Sequence, residues 1–141
     1  MARITNPDTL GRQRTKLMRT SAEMLRHLSQ KQAIDDDAKD MLALLAMSLQ
    51  EIADGIVEST IAWEKRNYWM KIEQFERKWG WTHRMAVELR VLILNEKWHE
   101  LPQMMVKLFP QFADIKVQKL TRKPEDWLGC YEQLLHETEP S

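Results

Sequence analysis

The sequence predicts an all-α protein, a single-domain helical bundle of four to six helices built around one long helix. Three observations carry this. From Ala38 to Lys78 the chain has no proline and a single glycine, Gly55, before it closes in Trp79-Gly80-Trp81. Apolar residues recur at the three- and four-residue spacing of a helix face, with no sustained strand alternation and no internal repeat. Finally, 141 residues at 43% apolar and 30% charged suffice for one domain with a real core, 1–141, but not comfortably for two. Residues 1–6 and 138–141 are expected to be flexible ends.

The first helix is expected to start at Asn6-Pro7-Asp8: asparagine accepts from free amides, proline suits the first turn, and aspartate complements the positive helix end. Leu10, Leu17, Met24, Leu25 and Leu28 then line one face to about Lys31, a stripe narrow enough to leave Arg12, Arg14, Lys16 and Arg19 solvated. Gln32-Ala33-Ile34 leads into Asp35-Asp36-Asp37, whose carboxylates suit the start of the next helix. That helix is expected to run to Lys78, roughly 41 residues or about 60 Å at 1.5 Å per residue. Its buried face changes sides midway. Leu42, Leu45, Leu49, Ile52 and Ile56 share one face, whereas Ile61, Tyr68, Ile72, Phe75 and Trp79 fall roughly 140° to 180° away. Trp63 and Met70 continue the first face, so the aromatic half beyond Gly55 needs more cover than the first helix can reach. Thr82 is expected to cap a third helix through Met85, Ala86, Leu89, Leu92 and Ile93, deeply buried along Val91-Leu-Ile-Leu94 and folded back on that aromatic half. Pro102 and Pro110 then separate a turn at 96–101, a short helix at 102–108 and a further helical piece at 112–120. A final helix opens at Pro124 and carries Trp127, Leu128, Tyr131, Leu134 and Leu135.

No run approaches the ~18 to 20 consecutive apolar residues of a membrane span, and the polar, basic start lacks the apolar segment of a secretory signal. A cytoplasmic protein with no membrane partner is expected. The one cysteine, Cys130, cannot form an internal disulfide and is expected to be an inert thiol. Formal charge is zero but comes in blocks. Residues 1–31 carry seven Arg or Lys against Asp8 and Glu23, a net of +5, while residues 32–58 carry seven acids against Lys39, a net of −6. Antiparallel packing of the first two helices would bring these blocks together. Residues 101–123 are again basic at +4, and the stretch from Pro124 has no Lys or Arg.

Candidate chemistry is sparse. Glu96 and His99 stand at i, i+3, the spacing that ferritin-like di-metal bundles use twice together with two further glutamates, but here it occurs once. Glu23 with His27 and Glu132 with His136 stand at i, i+4, and all three pairs read as helical surface pairs rather than as a metal site. The glycines at 11, 55, 80 and 129 are isolated, so no phosphate loop is present, and no histidine is poised beside Cys130 as a base. Arg77 and His83, separated by five residues, resemble the Arg-x4-6-His motif of the HEPN ribonucleases, small all-α proteins. That resemblance implies metal-free acid–base groups meeting at a dimer cleft. In this chain Lys78-Trp79-Gly80-Trp81-Thr82 intervenes and breaks the helix between them.

Nucleic-acid binding requires clustered cations for phosphates and aromatic faces for bases. Two stretches offer them: Arg12, Arg14, Lys16, Arg19 and Arg26 on the first helix, and Lys107, Lys116, Lys119, Arg122 and Lys123 interleaved with Phe109 and Phe112. Of the six tryptophans, Trp63, Trp79, Trp98 and Trp127 lie on apolar stripes. Trp69 lies off both faces of the long helix, beside Lys65, Arg66 and Lys71, where an exposed ring would mark an interface. The expected function is a non-catalytic interaction or assembly subunit, self-associating or docking into a larger complex through these four residues, with no cofactor and no metal. The alternative is a nucleic-acid-binding accessory subunit of a ribonucleoprotein-type or antiviral effector complex, similar in size and helix content to the small helical subunits of RNA-guided effector complexes. A HEPN-like ribonuclease comes third.

Overall fold

Helices in this chain are divided by capping side chains and by residues in the left-handed backbone region, in addition to proline. A computed structural model describes residues 7–138, and every regular element among them is helical. α1 spans Pro7–Ser29, α2 Asp36–Glu64, α3 Trp69–Trp79, α4 Trp81–Leu94, α5 Leu101–Leu108, α6 Pro124–Trp127 and α7 Cys130–Thr138, with short 3-10 turns at Trp98–Glu100 and Phe109–Phe112. The Asn6 cap and the flexible ends expected at 1–6 and beyond Thr138 lie outside the described residues; Thr138 itself closes α7. Among the described residues no helix is long and apolar enough to cross a membrane.

The largest correction concerns the long helix. It does not continue to Lys78: α2 has 29 residues and ends at Glu64, where the chain turns through Asn67 at φ 59°. The Tyr68 amide donates to the Trp63 carbonyl and the Asn67 amide to the Glu64 carbonyl, both at 3.1 Å. This is a Schellman closure, with asparagine at the left-handed position that glycine usually fills. At 1.5 Å per residue, α3 and α4 are about 16 and 21 Å long against about 43 Å for α2. Both pack on α2, so what was expected to prolong the long helix instead folds back along it. α4 closes the same way at Glu96, φ 51°, with the Lys97 amide donating to the Leu92 carbonyl at 2.9 Å.

α2 is the central element, contacted by α1, α3, α4, α6 and α7. Its start is as expected: the Asp35 carboxylate accepts from the Ala38 amide at 2.8 Å and caps the helix. Leu42, Leu45, Leu49, Ile52 and Ile56 are all buried, and they share one core with Met24, Leu25 and Leu28 of α1 and Leu89 and Ile93 of α4. α1 runs antiparallel to α2, bringing Leu10 to Gly55, where an added Cβ would sit 3.8 Å from the leucine side chain. The acidic start of α2 also anchors the C-terminal elements. Asp37 accepts from the Trp127 indole at 2.6 Å, and Asp40 accepts from the Tyr131 amide at 3.0 Å at the start of α7.

Four smaller expectations are corrected. Thr82 does not cap α4: its hydroxyl donates to the Trp79 carbonyl at 2.7 Å and so caps the end of α3. Of the Val91-Leu-Ile-Leu94 run, Leu92 and Ile93 are buried but Val91 is exposed, because four successive helical residues sweep most of a turn and cannot all face the core. The final helix is broken at Gly129, φ 83°, into α6 and α7, which leaves Leu128 exposed. Residues 115–123 form no helix; side chains of α1 take up their backbone groups instead.

Candidate functional site

One buried carboxylate organises the N-terminal side of the molecule. Glu23, on α1, has no solvent exposure. It accepts from the Thr121 amide at 2.6 Å, the Thr121 hydroxyl at 2.7 Å, the Arg122 amide at 2.9 Å and the Arg19 guanidinium at 2.8 Å. Burial pushes its carboxyl up, but the Arg122 amide, the Arg19 guanidinium and the hydroxyl and amide of Thr121 outweigh it and hold the pKa down at about 2. Glu23 was expected to form a surface pair with His27; it is instead buried, and its partners are Arg19, one turn back on α1, and Thr121 and Arg122, about a hundred residues along the chain.

The arginines around it extend the clamp. Arg19 donates to the Lys116 carbonyl at 3.0 Å and also to the Lys119 carbonyl, and Arg26 donates to the Val117 carbonyl at 2.6 Å. In return Arg122 donates to the Lys16 carbonyl at 3.1 Å and to the Thr20 hydroxyl at 3.0 Å. The two basic stretches that the sequence separates by about a hundred residues are thus bound side by side. The opposed charge blocks of α1 and α2 do meet at the hairpin turn, where Lys31 pairs with Asp35 at 3.0 Å and Asp37 at 3.4 Å. Arg19 and Arg26, however, turn to the 116–119 segment.

Between α1 and residues 110–116 lies an open groove of about 1550 Å³. Arg12, Arg14, Lys16, Arg19, Lys78 and Lys116 line it, against Asp114 as its one carboxylate among the described residues. Trp79 and Trp81, whose rings stack at 6.4 Å and 27°, also contribute. Arg14 is half-buried, with its guanidinium 5.0 Å from the Phe75 ring and 5.2 Å from that of Trp79, and this desolvation lowers its pKa. Of the cations proposed from sequence, Arg12, Arg14, Lys16, Arg19 and Lys116 meet here. Lys119, Arg122 and Lys123 do not line the groove: Arg122 serves the Glu23 cluster, and the Lys123 amide donates to Asp126 at 2.8 Å at the start of α6. Lys78 and Trp81 were not anticipated, and only the helix break at Gly80 hinted that they would be turned towards α1. Phe112 is buried edge-on against Trp81, whereas Phe109 is exposed.

A second surface lies at the α2–α3 turn. Trp69 is 57% exposed, Met70 76% and Tyr68 46%. With Asn67 and Lys71 these three line one shallow depression. Lys65 and Arg66 stand exposed in the same turn, and the Lys71 ammonium sits 4.4 Å from the Trp63 ring centre. The Asn67 closure creates this surface, because it ends α2 and starts α3 with Trp69 as its first residue.

The remaining candidates stay apart. Arg77 on α3 is held by Glu73 at 2.8 Å, and His83 lies on α4 beyond Gly80, so the resemblance to the HEPN motif spans two helices. Among the described residues no group of three or more His, Cys, Asp and Glu converges to hold a metal. Cys130 is buried, its thiol pushed up by desolvation and by the charges of Asp40, Asp126 and Glu137. Comparison with protein-family models, curated proteins and solved structures finds no match for this chain.

Proposed function

We propose that this chain is a non-catalytic helical interaction subunit that docks into a larger complex through the turn around Trp69. The observation that carries this is the exposure of Trp69 together with Tyr68 and Met70, in a turn that also presents Lys65, Arg66 and Lys71. A tryptophan left bare beside a thioether and a phenol is costly in water and suits a hot spot, since buried aromatic anchors dominate interface energies. The surrounding cations call for a protein partner whose apolar pocket is rimmed by carboxylates, with charge setting orientation. A stable interface takes roughly 20 to 30 residues a side, so this turn supplies the anchor of a larger contact rather than a complete symmetric dimer.

Size-exclusion chromatography with light scattering tests this. Purified chain is expected to remain monomeric across a concentration series, whereas in extracts of its source cells it elutes in a high-mass fraction. Trp69→Ala should return it to monomer size with its helical circular dichroism intact. Equal elution of wild type and variant in the extract would refute docking through this turn.

A further inference from the structure

We infer that the groove between α1 and residues 110–116 is a track for single-stranded nucleic acid, a binding surface separate from the Trp69 turn. The cations there are not accounted for by the fold. Arg12, Lys16, Lys78 and Lys116 have exposed side chains and no carboxylate partner among the described residues, although the Lys78 ammonium lies 5.7 Å from the Trp79 ring centre; Arg19, by contrast, is bound to Glu23, and Arg14 is half-buried over two rings. Four unneutralised cations on facing walls repel one another, and the fold nevertheless holds those walls together through a buried carboxylate and carbonyl-directed arginines. A polyanion laid between them relieves that repulsion and releases counterions.

The shape selects among polyanions. Arg12 and Lys16 on α1 and Lys116 on the 110–116 segment line one open groove from two sides, so a flexible phosphodiester chain that follows the groove can adapt to cations of both. Trp79 at the groove is half-buried and already contacted by Arg14 at 5.2 Å, Lys78 at 5.7 Å and the Trp81 ring, so the track relies on its cations rather than on base stacking. The exposed cations are placed to meet backbone phosphates, so the track is expected to hold a strand with little dependence on sequence.

The test is fluorescence anisotropy with labelled 20-nucleotide single-stranded RNA, the same sequence as single-stranded DNA, and a duplex, across a salt series. Single strands are expected to bind more tightly than duplex, with log K falling against log salt at a slope of about −3 for four phosphates at −0.7 each. The combined Arg12→Glu and Lys116→Glu variant should lose at least about tenfold in affinity at low salt and flatten that slope. Lys78→Glu alone should weaken binding in the same direction. Lys65→Glu with Arg66→Glu, at the other surface, should leave affinity unchanged. Absence of binding at low salt, equal or tighter binding of duplex, or equal loss from the Lys65 and Arg66 changes would each overturn the inference.

Discussion

Glu23 is the residue on which the N-terminal side of the molecule depends. Its carboxyl is held at about 2, below the ordinary 4.5, by donors that outweigh its burial. Because folding depresses this pKa, its stabilising contribution is complete above the unfolded value and is lost as pH falls from about 4.5 towards 2. Glu23→Gln keeps the shape but removes the charge, and is expected to lower stability at neutral pH by about 1 to 3 kcal/mol. It should also flatten the fall in stability between those pH values; denaturant titrations at several pH values would show both effects. A curve parallel to wild type would mean that Glu23 is not the titrating group. Cys130 makes the opposite kind of claim. Its buried, raised thiol should react with a disulfide reagent far more slowly in the native protein than after unfolding, and equal rates would contradict its placement.

Among the elements, the two left-handed closures deserve separate tests because their residues differ in suitability. Asparagine tolerates this region and glutamate does not, at a cost of roughly 1 kcal/mol or more for an ordinary side chain. Glu96→Gly, at φ 51°, is therefore expected to raise stability by about 1 kcal/mol, and Asn67→Ala, at φ 59°, to lower it by a similar amount. Thermal unfolding measures both. Gly80→Ala should destabilise for a different reason, since its Cβ would meet the Glu76 carbonyl oxygen at 2.8 Å, which backbone cannot readily yield. The change of buried face expected beyond Gly55 does not occur on a continuous helix: Ile61, Tyr68 and Met70 are exposed, and Ile72 is buried on the separate helix α3. The chain reversal was not legible, because Arg66-Asn67-Tyr68 contains neither glycine nor proline and a wheel drawn through it assumes continuity. The failed helix at 112–120 had a different origin. The Lys116, Val117 and Lys119 carbonyls are taken by Arg19 and Arg26, and the Thr121 and Arg122 amides just beyond by Glu23, about a hundred residues away, which no local pattern encodes.

For the molecule as a whole, the central helix and its apolar face were readable from Leu42, Leu45, Leu49, Ile52 and Ile56, all buried as expected. The groove was readable only as two unconnected basic stretches, because its formation depends on the fold bringing α1 against residues 115–123. The Trp69 turn was identified from a single tryptophan off both helix faces, though its exposure comes from a chain reversal rather than from a third side of a continuous helix. On this account the two surfaces act independently, the turn anchoring a protein and the groove following a strand. The most direct measurement is the elution size of the tagged chain in source-cell extract before and after nuclease treatment. The account predicts that the high-mass species survives nuclease in the wild type and in the Arg12→Glu and Lys116→Glu variant, and is absent in Trp69→Ala. A high-mass species that nuclease dissolves and Trp69→Ala leaves intact would contradict it.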